Sequence, residues 1–142
     1  MQRADARVHR DRFDVGVSVT VLAPYAASVD GLRLKVCWAG QCQQRDVELA
    51  PGNDTVDQGC SGPSSEDTCS ATAVPNGALV GFAELPGLPA GPITVSATLT
   101  VNGARVPVAE AARTAETTYP NGPQCAAGGN QAVIEIDQKG IR

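Results

Sequence analysis

Aromatic residues are scarce, at 4% of the 142-residue chain: one Trp, two Tyr and two Phe. A core drawn from this sequence has few large anchors, and the exposed rings of a sugar-binding platform are in short supply. Histidine occurs once, as His9, so a nucleophile activated by imidazole has a single candidate base. His9 sits among Arg3, Arg7, Arg10, Arg12, Asp5 and Asp11, which reads as a solvated arm rather than half of a Cys125–His9 pair. The net charge is −4, and no basic face is available to displace counterions from phosphate, which excludes a nucleic-acid binder. No run of 18 apolar residues exists, so no transmembrane segment is expected. Residues 1–12 lack the apolar stretch of a signal peptide. An exported form would carry its signal, or a lipid anchor, on a removed N-terminus upstream of Met1.

Catalytic signatures are missing too. Ser28, Ser61, Ser64 and Ser65 lie in loop-like contexts without G-x-S-x-G, and Gly128-Gly129 lacks the strand–helix setting of a dinucleotide or phosphate loop. Asp54/Asp57 and Glu66/Asp67 are paired acids in a polar stretch, with neither a rigid cleft for glycoside hydrolysis nor the ligand spacing of a calcium loop. The sequence therefore assigns no catalytic residue, no metal and no cofactor.

What is present is valine. Leu, Ile, Val and Phe together number 30, of which 16 are Val. That is about a fifth of the chain, near the level where a domain struggles to order itself. Such a core is thin, and cross-links would help it.

Five cysteines are available: Cys37, Cys42, Cys60, Cys69 and Cys125. None forms C-x-x-C, and the C-x8-C spacing is too wide for a zinc knuckle. In Lys35–Cys42, a two-residue turn at Ala39-Gly40 pairs Trp38 with Gln41 and sets Cys37 opposite Cys42. At a non-hydrogen-bonded position their Cα atoms approach about 4.5 Å, within disulfide reach. Both would lie on the polar face with Arg33, Lys35, Gln44, Asp46 and Glu48. Cys60 and Cys69 bracket a Ser/Gly/Asp/Glu loop, and closing it would stabilise the fold by roughly 2–3 kcal/mol. Bridges 37–42 and 60–69 leave Cys125 as a free or intermolecular thiol. The rival arrangement ties Cys125 to a hairpin cysteine or to Cys69. Either way, disulfides favour an oxidising compartment.

Hydrophobicity alternates with period two almost throughout, the mark of half-buried strands. Phe13, Val15, Val17, Val19 and Val21 face one way over 13–22. Leu32, Leu34, Val36 and Trp38 do so over 32–38, and Ile93, Val95, Ala97, Leu99 and Val101 over 93–101. Val47 and Leu49 continue a strand that Pro51-Gly52 should end. A loop is expected over 50–67, then short strands at 69–74 and 79–85 separated by a turn at Pro75-Asn76-Gly77. Asn102-Gly103 is a type I′ hairpin signal that pairs Leu99 with Val106 and Ala97 with Val108. Residues 109–118 read as one helical turn or a strand, and a final strand covers about 131–136. Seven or eight short strands without an amphipathic helix predict an all-β, antiparallel β-sandwich of 13–142, preceded by the charged arm of 1–12.

The stretch Asn76-Gly77…Val80-Gly81-Phe82…Leu85-Pro86…Pro89-Ala90-Gly91-Pro92-Ile93-Thr94-Val95 resembles the transthyretin-like, or carboxypeptidase-regulatory-like, sandwich over some 25 residues. Ile93 stands where an aromatic is usual. Such domains, like Ig-like ones, serve mostly as scaffold or adhesion modules. Cys37-Trp38-Ala39-Gly40-Gln41-Cys42, with the tail Tyr119-Pro120-Asn121-Gly122-Pro123-Gln124-Cys125…Gly128-Gly129-Asn130-Gln131-Ala132, resembles small exported proteins and lipoproteins of actinobacteria. Nine arginines against two lysines suit a high-GC genome. This second resemblance implies a secreted or cell-surface location, and neither carries over a catalytic residue.

The expectation is a non-enzymatic module that binds a protein or cell-envelope partner through loops 38–41, 50–67 and 120–130. Its candidate residues are Trp38, Gln41, Asn53, Asp54, Asp57 and Asn121. A small-molecule or glycan-binding domain is the alternative, and a small secreted enzyme or inhibitor is a third.

Overall fold

A computed structural model describes residues 15–60, 69–119, 122, 124, 125 and 127–142, with backbone alone at 57–60 and 69–70. The arm of 1–12, with His9, lies outside the described residues, as does Phe13 at the start of the first expected strand. Nine strands and one 3-10 turn make up the rest: β1 (Gly16–Val21), the turn Tyr25–Ser28, β2 (Val29–Trp38), β3 (Gln41–Val47), β4 (Ala50–Cys60), β5 (Cys69–Glu84), β6 (Gly91–Val101), β7 (Ala104–Thr117), β8 (Asn130–Asp137) and β9 (Gly140–Ile141).

The strands form one curled mixed sheet in the order β3-β2-β6-β7-β8-β1-β5-β4, with β9 on β8. β7 links the two halves. It pairs with β6 along nearly its whole length and with β8 only at Glu116 and Thr117. At the other side of the curl β3 comes up against β5, where the Arg45 Nε donates to the Glu84 carbonyl at 3.1 Å. A Cβ at Gly81 would lie 2.5 Å from Val47 Cγ1 and 2.7 Å from the Glu48 carbonyl oxygen, so this contact requires glycine. Inward residues of both halves merge into one aliphatic core. It includes Val17, Val19 and Val21 of β1, Leu34 and Val36 of β2, Val95 and Leu99 of β6, and Ile134 and Ile136 of β8. No buried polar or charged residue occurs among the described residues.

Local chemistry explains the hairpins. Ala39 and Gly40 take φ 52° and 78°, and Asn102 and Gly103 take φ 50° and 81°, the positive pair that a two-residue hairpin of the type I′ class needs. These turns set Trp38 against Gln41, Cys37 against Cys42, Leu99 against Val106 and Ala97 against Val108, the registers expected from the sequence.

Three expectations are corrected, and the alternative left open at 109–118 is decided. The sheet is not wholly antiparallel: β1 runs parallel to β8 as well as antiparallel to β5. A parallel pair needs a long crossover, and here nearly all of the described chain lies between the two strands. Pro51-Gly52 opens β4 instead of ending a strand, so the expected loop over 50–67 is strand as far as Cys60, and 61–68 lie outside the described residues. Pro75-Asn76-Gly77 is no turn between two strands. β5 runs through it, with Pro51 opposite Leu79 and Asn53 opposite Pro75, so Asn76-Gly77-Ala78 bulge out against Gly52. The Asn76 Oδ1 accepts from the Ala78 N–H at 3.0 Å and Gly77 sits at φ 82°, the same local chemistry that makes turns. Finally, residues 109–117 are strand. A bulge between the pairs Val95–Ala111 and Ala97–Val108 shifts the inward side of β7 from even positions (Val108) to odd ones (Ala115), which hid the alternation.

Candidate interaction surface

The registers sort the expected loops between two ends of the sheet. Cys37 pairs with Thr94, Gly91 with Ala115, Glu116 with Gln131, and Gln131 with Gly16, which faces Glu84. The 38–41 turn and the 118–129 loop therefore share one end. The neck of that loop is tied: Gly128 N–H donates to the Thr118 carbonyl at 2.7 Å, and Thr118 Oγ1 to the Gly129 carbonyl at 2.8 Å. Asn130 joins in, accepting from Thr117 Oγ1 at 2.8 Å and donating to the Leu88 carbonyl at 3.1 Å. Cys125 is an exposed free thiol in this loop.

The opposite end carries the most unusual feature of the molecule. β4 and β5 continue past the core, and Asn53–Val56 and Ala71–Gly77 are exposed throughout. Both faces of this two-stranded ribbon meet solvent. Asp54 faces Val74 and Val56 faces Thr72, so these four side chains share one face. Val56 and Val74 are 42% and 40% exposed there; Val133 of β8 is more exposed still, at 68%, but stands alone on its strand, whereas these two share one face. Asn76 Nδ2 donates to Asp54 Oδ1 at 3.0 Å, fastening the base of the ribbon across its strands.

Of the residues expected to bind, Gln41, Asn53 and Asp54 are exposed. Trp38 is 9% exposed and belongs to the core, so its ring offers no surface platform. Asp57 is placed in β4 with its side chain outside the described residues, and Asn121, Ser61, Ser64, Ser65, Glu66 and Asp67 lie outside them altogether. The Cys37–Cys42 disulfide is formed, on the polar face beside exposed Arg33, Lys35 and Gln44. The backbone register sets Cys60 opposite Cys69, whose side chains also fall outside the description.

One concavity was not foreseen. A depression of about 440 Å³ over β2, β3, β6 and the start of β7 is lined by Gly31, Leu32, Arg33, Gln44, Asp46, Val47, Thr98, Thr100 and Arg105. Gly31 stands opposite Thr100, which stands opposite Arg105, and the missing side chain at Gly31 opens the floor. Arg33 and Asp46 are cross-strand partners joined by two hydrogen bonds of 2.7 and 3.3 Å. Asp46 is held below the usual aspartate range by the hydrogen bond from Arg33 and then by its positive charge. The individual polar positions were legible from alternation, but their convergence depends on β6 lying beside β2.

Among the described residues no group of three His, Cys, Asp or Glu side chains is placed to hold a metal ion, and no helix is long and apolar enough to cross a membrane. Comparison of the chain with protein families, with curated proteins and with solved structures gave no match.

Proposed function

We propose that this chain is a non-catalytic, secreted or cell-surface β-sandwich protein of Ig-like or transthyretin-like type. It works as an interaction or structural module for a protein or cell-envelope partner, held by a lipid anchor or released. The exposed ribbon of β4 and β5 carries this reading. Ordering a strand costs conformational entropy, and a hairpin that buries nothing is marginal by itself. Twin strands kept paired beyond the core, with valines displayed on one face, suit a surface that completes itself against a partner. The Cys37–Cys42 disulfide is compatible with an extracytoplasmic location. The resemblance to exported actinobacterial proteins points the same way.

The test replaces residues 54–74 with a two-residue Asn-Gly turn and compares retention of both proteins on isolated cell envelope. The shortened protein should keep its near-ultraviolet circular dichroism and lose retention. Equal retention would remove the ribbon from the binding surface.

A second reading, small-molecule or glycan binding, has the depression around Gly31 in its favour. The Arg105 guanidinium and two threonine hydroxyls there, beside the Arg33–Asp46 pair, suit a polar, carboxylate-bearing ligand held by Arg105 better than an apolar one. Titration with glucuronate against glucose, followed by backbone amide shifts, separates the readings. Shifts confined to Gly31, Thr100 and Arg105 and abolished by Arg105→Gln would favour this one.

A further inference from the structure

The far end of the ribbon carries a pair of cysteines. Cys60 and Cys69 are Cα partners, the outermost pair of β4 and β5. Cys37 and Cys42 stand in the same relation on β2 and β3, and those two are disulfide-bonded. Directly opposed residues of antiparallel strands have Cα atoms about 4.5 or 5.5 Å apart, and both distances lie within disulfide geometry.

The competing partner is out of reach. β5 runs 16 residues from Cys69 to Glu84, on the order of 40–50 Å of strand. Glu84 lies in the row of Gly16 and Gln131, at the end where the 118–129 loop is tied at its neck. Cys125 is four residues from Gly129, and a fully extended chain of that length spans only about 14 Å. A bridge from Cys125 to Cys60 or Cys69 of the same chain would require the sheet to come apart.

We infer that Cys60 and Cys69 form a second cross-strand disulfide, a clasp on the free end of the ribbon, and that it is the more easily reduced of the two. The argument is independent of what the ribbon binds. After reduction of Cys37–Cys42 the thiols stay opposed, because Val36, Trp38 and Val47 keep that hairpin docked on the core. Their effective concentration remains high and the bond re-forms readily. The ribbon is exposed on both faces over 53–56 and 71–77, so after reduction its strands are held by the backbone ladder and, at the base far from the cysteines, by the Asn76–Asp54 hydrogen bond, with no core packing behind them. Its thiols then drift apart and reclosure is slower.

In the reduction a dithiol's thiolate attacks one sulfur of the Cys60–Cys69 bond. A mixed disulfide forms with one cysteine, and the other leaves as a thiolate that takes a proton. The second thiol of the reductant, as its thiolate, displaces the first cysteine. Two electrons pass to the protein, and the reductant departs as a cyclic disulfide. The bond is made by the reverse exchange with a disulfide-bearing oxidant.

The test uses the full chain, purified under oxidising conditions and alkylated at increasing dithiothreitol concentrations, with mass spectrometry of peptides cut at Glu66. Without reductant only Cys125 should be alkylated, and peptides containing Cys60 and Cys69 should run as one linked species. These two should label together at about tenfold lower dithiothreitol than Cys37 and Cys42, the shift given by a tenfold lower effective thiol concentration. Labelling of Cys60 or Cys69 before reduction, or linkage of either to Cys125 within one chain, would overturn the clasp. Simultaneous release of both bonds, or earlier release of Cys37–Cys42, would overturn the order. The double variant Cys60→Ser/Cys69→Ser guards against misfolding. Its amide exchange should be faster at 53–56 and 71–77 and unchanged at 95–99, and an unaltered ribbon would show that nothing was clasped there.

Discussion

Leu34 has no exposed surface and sits in β2 between two paired strands, so its removal opens a cavity that β2 cannot collapse into. Leu34→Ala should cost about 3 kcal/mol in urea denaturation. Gly16 is as constrained as any large side chain: a Cβ there would overlap the carbonyl oxygen of Ala83 on the paired strand. Gly16→Ala should destabilise by about 2–3 kcal/mol, since backbone must shift to admit one methyl group. Asp46 supplies the pH signature. Its folded-state pKa is depressed by Arg33, so its contribution is present above the unfolded value, near 4, and is lost as pH falls through the lower folded value. The window lies below about pH 4. The effect on stability is small, because the two side chains are 56% and 75% exposed. Carboxyl NMR titration should place Asp46 below the usual range, and Arg33→Gln should return it there. An unmoved midpoint would discount the pair.

At the level of strands and turns, glycine and asparagine do similar local chemistry with different outcomes. Asn102-Gly103 turns the chain through a hairpin, whereas Asn76-Gly77 only pushes a bulge out of β5. No neighbour lies within 4 Å of a Cβ at Gly103, so Gly103→Ala should cost about 1 kcal/mol through its positive φ alone. Chemical denaturation would measure it. The two sites differ in what lies alongside: β1 pairs with β5 up to Leu79, and β4 continues beside it to Cys69. A neighbouring strand on hand keeps β5 going. Residues 53–56 left no alternating pattern, because side chains wet on both faces need no apolar side. Amide exchange should show this ribbon opening far faster than 95–99 of β6, whose inward side chains are buried. The broken alternation of β7 has the other cause, a bulge at 109–110 that reverses its phase while both faces keep their roles.

Across the whole molecule the core and the ribbon are separable. Removing residues 54–74 takes away no member of the aliphatic core, so the shortened protein should melt within a few degrees of the parent in a calorimeter. A large drop would mean that the ribbon holds up the sheet rather than projecting from it. The chain itself determined what alternation, turn residues and cysteine spacing can encode within about ten positions. That covers strands β1, β2 and β6, both two-residue hairpins with their registers, the inward Trp38 and the Cys37–Cys42 bridge. The tertiary structure alone decided that β1 lies parallel to β8, that β7 carries the sheet from one half to the other, and that Gly31, Thr100 and Arg105 open a depression with Arg33. It also decided that a polar stretch reading as loop is a strand. These depend on contacts between distant segments, where burial of shared apolar surface selects the neighbour and no local pattern records the choice.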